Sequence, residues 1–159
     1  MRKSLLTLTL LLSINFGFSQ YKTKLKKWNL TFENTEKLDK YSTGIKNLYG
    51  WDSDNYAVDI GIKILDIEEN KVDLKKNAFE FSTKIGLMKK EEIGKIFGIN
   101  LSYCIKGETM GYRMVLNPTY IVLLYNPELS ALYEITVIGY NGNITELKKI
   151  ANSFKFTEK

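Results

Sequence analysis

Hydrophobic and polar residues alternate along several segments of the chain, a pattern typical of β-strands with one buried face. The clearest such segment covers residues 56–65, and shorter ones lie at 28–32, 97–105 and 110–116. Residues 119–125 are nearly all apolar, which predicts a central strand covered on both faces, and 132–138 predict a neighbouring strand. The short connections between consecutive strands favour antiparallel hairpins.

Two other segments have the spacing of amphipathic helices. Apolar residues recur every three or four positions over 74–85, with Asp73 as the expected N-cap and Gly86 as the stop. A second helix is expected from Asn143, because Glu146 follows three residues later as in a capping box. A last short strand is predicted around 154–156. The pattern predicts an α+β fold: a single domain of mostly antiparallel β-sheet packed with two amphipathic helices.

The first 19 residues have the pattern of a secretory signal peptide. A basic start precedes an apolar stretch from Leu5 to Phe18. Small residues at Gly17 and Ser19 predict cleavage after Ser19, which leaves Gln20 as the new first residue. An uncleaved membrane anchor is the alternative, and it is disfavoured because the stretch is shorter than the roughly 20 residues needed to span a bilayer.

The predicted cleavage point indicates where the protein is located. No cysteine stands there, so we expect no bacterial lipid anchor, and the protein is expected to be exported into a periplasm or secreted. The chain has one cysteine, Cys104, which we expect to be packed in the interior rather than to act as a nucleophile.

The C-terminal third resembles a known family. It combines an apolar strand (Tyr120 to Tyr125), a hairpin partner (Tyr133 to Ile138), a capped helix and the closing segment NSFKF at 152–156. This ending is similar to that of the PsbP-like superfamily. The resemblance implies an α/β/α sandwich over 28–156 and mostly non-enzymatic binding or assembly roles. The chain departs from the superfamily at Trp28, which has no proline beside it.

Composition excludes several kinds of active site. The 159 residues include no histidine and one cysteine. A Ser-His-Asp triad, a Cys-His nucleophile, a His-ligated zinc and an internal disulfide are therefore ruled out. No Gly-rich phosphate loop follows a strand. We therefore expect a protein that is not an enzyme and holds no cofactor or metal. A hydrolase that uses carboxylate, lysine or tyrosine chemistry is the disfavoured alternative.

The formal net charge of +5 is concentrated near the N-terminus. Two of the basic residues leave with the signal peptide, and residues 20–27 form a basic N-terminal arm. The single α+β domain predicted for 28–159 has 17 basic and 18 acidic residues. The basic residues do not line up with the aromatic strands, so we expect no nucleic acid partner. At most, weak peripheral contact with an anionic membrane is expected through the arm's lysines, Lys22, Lys24, Lys26 and Lys27.

One face of the sheet is predicted to be polar. The alternation places Asp59, Cys104 and Arg113 on this polar face, and Glu134 is expected to join them. Tyr103 is placed on the opposite, apolar face. Arg113 is the only arginine after the signal peptide, and a guanidinium suits recognition of a carboxylate or phosphate. The face is therefore either a polar pocket or partner surface anchored by Arg113, or the place of a structural ion pair between Arg113 and Asp59 or Glu134. We favour the ion pair.

A second candidate surface is the aromatic and acidic segment around Tyr49, Trp51, Asp52 and Asp54. Aromatic residues on a loop can anchor a partner. Alternatively, the two rings pack on the core while the acidic residues make a turn, and this is the interpretation we favour. A calcium loop is rejected because Lys63 stands where the bidentate glutamate of such a loop belongs.

These observations favour an exported, non-enzymatic binding or accessory protein that contacts another protein. One alternative is a carrier or sensor of a small anionic or amphiphilic ligand, held between a helix and the polar sheet face. Another is a toxin-neutralising, immunity-type protein.

Overall fold

The computed structural model describes residues 20–96, 98–140 and 143–157. The predicted signal peptide at 1–19 lies outside the described residues. The described residues contain two α-helices, α1 (Leu74–Lys84) and α2 (Ile144–Ser153). The described strands are β1 (Tyr21–Leu25), β2 (Leu30–Asn34), β3 (Asp39–Tyr41), β4 (Leu48–Asp52), β5 (Tyr56–Ile64), β6 (Met88–Gly94), β7 (Ser102–Met110), β8 (Leu116–Asn126), β9 (Ala131–Gly139) and β10 (Lys155–Phe156).

The strands form two antiparallel sheets. Seven pair in the order β3-β4-β5-β9-β8-β7-β6, and a small sheet has the order β1-β2-β10. Helix α1 contacts β7 and β8 from one side, whereas α2 contacts β2, β8 and β9. The large sheet therefore lies between α1 on one face and α2 with the small sheet on the other. This arrangement confirms the predicted single α+β domain.

Each face of the large sheet has its own apolar core. Under α2 and the small sheet, Phe32 packs on Phe154 and Trp51, with ring centroids 5.1 and 5.6 Å apart. Under α1, Ala78 packs with Ile105 and other residues of β7 and β8. Strands β8 and β9 lie in the middle of the sheet and are buried along most of their length. The central position predicted for 119–125 is confirmed.

The predicted helix ends are confirmed by their caps. The Lys76 amide donates to Asp73 Oδ1 at 2.9 Å, and the Glu146 amide donates to Asn143 Oδ1 at 3.2 Å. Such caps satisfy amides that the first helical turn leaves without partners. Gly86 follows α1 with a φ of +71°, a conformation that suits glycine.

Several strands differ from the prediction. The structure has β7 at Ser102–Met110 and a turn where a strand was expected at 110–116. Strand β2 starts at Leu30, because Trp28 closes a 3₁₀ turn and Asn29 follows it with a φ of +49°. Strands β1, β3, β4 and β6 were not predicted, and the predicted strand start at Phe97 lies outside the described residues.

The basic segment 20–27 is folded rather than a free arm. Strand β1 pairs with β2 from Tyr21 opposite Asn34 to Leu25 opposite Leu30. Leu25 is buried in the core, while Lys22 and Lys24 point to solvent. The lysines therefore lie along the edge of the small sheet, which fixes their position on the domain surface. No helix among the described residues is long and apolar enough to cross a membrane.

Candidate binding surfaces

A groove opens on the part of the large sheet that α1 leaves uncovered. Helix α1 covers β7 and β8, whereas β5 presents Asp59, Gly61 and Lys63 on the same side of the sheet. The groove has a volume of about 630 Å³, within the range of ligand pockets. Apolar side chains also line the groove: Ile45, Leu48, Phe81 and Ile85.

Asp59 is the half-buried acid of this groove. The Tyr41 hydroxyl donates a hydrogen bond to its carboxylate. Desolvation is the largest cause that raises the pKa of the Asp59 carboxyl above its usual range, while the Tyr41 hydrogen bond lowers it. Gly50 makes the contact with Tyr41 possible, because a Cβ at position 50 would lie 2.6 Å from the Tyr41 hydroxyl oxygen.

Glu134 lies deeper on the same face, with 8% of its surface exposed. Its partner is Lys63 of β5, which forms a hydrogen-bonded ion pair with Glu134 Oε1. The register places Asp59 opposite Thr136 and Gly61 opposite Glu134. Two sequence-predicted site residues, Asp59 and Glu134, are therefore brought into one groove, as the expected polar face requires.

The structure corrects the position and the pairing of Arg113. The ion pair expected with Asp59 or Glu134 is wrong, because Tyr41 and Lys63 occupy those partners. Arg113 lies instead at the exposed turn between β7 and β8, and no ion pair of its guanidinium occurs within residues 20–96, 98–140 and 143–157.

This turn carries the largest run of exposed apolar side chains in the described chain. We call residues 110–116 the hairpin tip. The Gly111 amide donates to the Val115 carbonyl at 2.8 Å, and the Met114 amide donates to the Gly111 carbonyl at 3.0 Å. Met114 has a φ of +58°, which side chains with a Cβ rarely adopt. Exposed fractions are 103% for Tyr112, 77% for Met114 and 55% for Val115.

The hairpin tip was missed because its residues alternate like a strand. Met110, Tyr112 and Met114 were expected to form a buried face, but all three are exposed. The sequence did contain one usable signal, the glycine at position 111. Gly107 lies inside β7, where a Cβ would come within 2.8 Å of Leu87.

The aromatic segment is mainly structural. Trp51 is buried against Phe32, and the Tyr49 hydroxyl accepts a hydrogen bond from Trp28 Nε1 at 2.9 Å. Asp52 and Asp54 are exposed beside a turn in which the Ser53 amide donates to the Tyr56 carbonyl at 2.9 Å. The interpretation that the rings pack on the core is confirmed, and Trp51 has no surface left to anchor a partner.

Cys104 is on the opposite face from the one expected. It lies in the core beneath α2 and the small sheet, and Tyr103 lies under α1. The prediction of which β7 side chains face which side of the sheet is therefore wrong. Burial raises the pKa of the Cys104 thiol to about 12. The thiol is thus protonated in the folded protein. The described residues contain no group of three or more potential metal-ligating side chains.

No protein-family model matches the chain, and no curated protein matches it. Among solved structures, the chain is similar to the Saccharomyces cerevisiae Ran-binding protein Mog1p, with a TM-score of 0.58 and 8% sequence identity. The match covers 89% of this chain and 97% of that one. At this identity the likeness shows the fold alone. The expected PsbP-like membership is wrong, since none of these comparisons supports that family and the solved structure described here is that of Mog1p.

Proposed function

We propose that this chain is an exported, non-enzymatic accessory protein that contacts another protein through the hairpin tip. The observation that carries the proposal is the exposure of Tyr112, Met114 and Val115 around Arg113. Exposed apolar side chains in a contiguous group mark interaction sites more often than scattered ones do. Tyrosine, methionine and arginine are also enriched at the centres of protein interfaces.

The backbone of the hairpin tip supports this role. Met114 is held in the left-handed region, where a non-glycine residue destabilises the fold. Strain of this kind concentrates at functional sites. The tip projects beyond the last β7–β8 pair, Met110 opposite Leu116, so it can enter a recess on a partner without a change in the sheet. The fold relative Mog1p is, by its name, a Ran-binding protein, which fits a role in binding a protein.

The test is affinity capture from the envelope and secreted fractions of the host with the tagged mature protein. A Tyr112→Ser, Met114→Ser variant is compared with an Ile64→Ser control. Ile64 is 57% exposed and lies at the other end of the sheet, opposite Ala131. We expect one protein to be captured by wild type and control and lost with the tip variant. Equal capture by all three would contradict the proposal.

A small anionic amphiphile bound in the groove is the second candidate function. The specific observation is the concave space between α1 and the polar sheet face, which is lined by both polar and apolar side chains. Lys46 and Lys84 line it, and within the described residues neither has an ion-pair partner that would compete for an anionic group. Native mass spectrometry of protein purified from its host tests this function. A co-purifying small molecule, lost in a Phe81→Asp variant but kept in Phe79→Asp, supports it. An unliganded mass contradicts it.

Export into a periplasm or the medium is part of the proposal and is supported by the pattern of residues 1–19. Cell fractionation with mass analysis of the mature chain tests it. A mass that starts at Gln20 is expected, in a fraction outside the inner membrane. A full-length chain in the cytosolic fraction would overturn export.

A further inference from the structure

A second cavity lies where the small sheet meets α2. Its volume is about 450 Å³, and it is separate from both the groove and the hairpin tip. Strand β2 contributes Asn34, and α2 contributes Glu146 and Ile150. Gln20, the first described residue, also lines it. The cavity therefore joins the predicted new N-terminus to the start of α2.

Two residues that line this cavity each carry a buried oxygen without a hydrogen-bond partner in residues 20–96, 98–140 and 143–157: Asn34 Oδ1 and Glu146 Oε2. Asn34 is only 3% exposed. Its amide nitrogen donates to the Glu36 carbonyl. Buried acceptors without partners are costly and rare. This pair therefore indicates that the described residues lack a donor for these two oxygens.

The donor that fits is an ammonium group. Strand β1 pairs Tyr21 with Asn34, so Gln20 is one residue beyond that pair. Before cleavage its nitrogen is a peptide amide bonded to Ser19. After cleavage it becomes a charged group with three donors, on a residue that lines the same cavity as Asn34 and Glu146. Lys149 already binds the other oxygen of Glu146 at 2.5 Å, so Oε2 stays available.

We propose that cleavage after Ser19 releases the α-ammonium group of Gln20 and that this group binds Asn34 Oδ1 and the Glu146 carboxylate. The inference rests on the export part of the proposed function. In this account, signal removal completes the fold, because the ammonium group ties Gln20, the residue before β1, to the first turn of α2. Glu146 lies in the first turn of α2, where a negative charge interacts favourably with the helix dipole.

Charged groups around the cavity set the pH dependence. An α-ammonium group ordinarily loses its proton near pH 8. The stabilisation by its charge is therefore expected at neutral pH and is lost once the group is deprotonated at alkaline pH. The other titratable and charged groups lining the cavity come from β2, α2 and β10: Glu33, Lys148, Lys149 and Lys155.

The test compares two forms of the mature chain, one starting at Gln20 and one that keeps Ser19. The extra residue moves the ammonium group away by about 3.5 Å. We expect the Gln20 form to melt about 2 to 4 °C higher near neutral pH, with the difference disappearing at alkaline pH. Equal melting temperatures at neutral pH would show that the ammonium group does not satisfy these oxygens and would overturn the proposal.

Matched variants locate the effect. In a Glu146→Gln background the two forms should melt at the same temperature, because the charge that holds the ammonium group is gone. In a Glu80→Gln background, on the exposed face of α1, the difference should persist. A difference that survives Glu146→Gln would overturn the assignment of the site. The mass of the protein isolated from its host tests the cleavage site independently, and a chain that starts elsewhere than Gln20 would overturn cleavage after Ser19. The melting comparison tests the interaction in the cavity by itself.

Discussion

Replacing Met114 with glycine tests the strain at the hairpin tip. Met114 has a φ of +58°, and this conformation costs a residue with a Cβ about 1 to 2 kcal/mol. Glycine avoids that cost but loses more conformational entropy on folding, by about 0.5 to 1 kcal/mol. The balance predicts that Met114→Gly stabilises the protein by about 0.5 to 1 kcal/mol, although it removes a side chain of three carbons and a sulfur.

Urea unfolding of the purified mature protein measures this change, with an unchanged m-value as the sign that only stability has moved. Met110→Gly is the matched control. Met110 ends β7, is 48% exposed, and is not among the residues with positive φ. There the same substitution is expected to destabilise by about 0.5 to 1 kcal/mol. A loss of stability in Met114→Gly equal to that in Met110→Gly would refute the argument from strain.

Three further predictions concern the groove and the core. Because burial raises the pKa of the Asp59 carboxyl, the folded state retains a proton that the unfolded state releases, and stability falls as pH rises between the two pKa values. Asp59→Asn should therefore leave stability unchanged at acid pH and raise it by up to about 1 kcal/mol near neutral pH, whereas the exposed control Asp54→Asn changes it little in urea melts at either pH. Trp51→Ala should destabilise by about 3 to 5 kcal/mol in the same assay, since Trp51 is 6% exposed and packs on Phe32; a cost below 1 kcal/mol would contradict its place in the core. The Cys104 thiol should react with iodoacetamide only on unfolding, because burial keeps its pKa at about 12; labelling of the native protein at the rate of free cysteine would contradict this.

The alternation pattern identified the polar face correctly only where one side of the sheet is open. On β5, Val58 and Ile60 point into the core and Asp59 points into the groove, so polarity marks the two faces. On β7, both faces are covered, and Tyr103 and Cys104 are both buried. The polarity of a residue then does not indicate which face of the sheet its side chain lies on. For such a strand, the sequence cannot show which of its two faces continues the polar face of a neighbouring strand.

Edge strands and the hairpin tip escaped prediction for different reasons. Strand β6 lies at the edge of the sheet beside β7 and contains the charged run Lys89 to Glu92. These side chains are exposed on both faces of the strand, so hydrophobic and polar residues do not alternate along it. The tip has the opposite property. Its apolar residues have the period of a strand, yet they face solvent. A departure of this kind from local expectation is frequent at functional sites.

Site-specific photo-cross-linking at position 112 is the most direct test of the proposed protein contact. A photoreactive phenylalanine analogue replaces Tyr112, which is fully exposed at the hairpin tip, and in a control it replaces Ile64 at the opposite end of the sheet. Cells of the host are irradiated, and adducts are separated by mass. The account predicts one discrete protein adduct from position 112 and none from position 64. No adduct from position 112, or the same adduct from both positions, would contradict it.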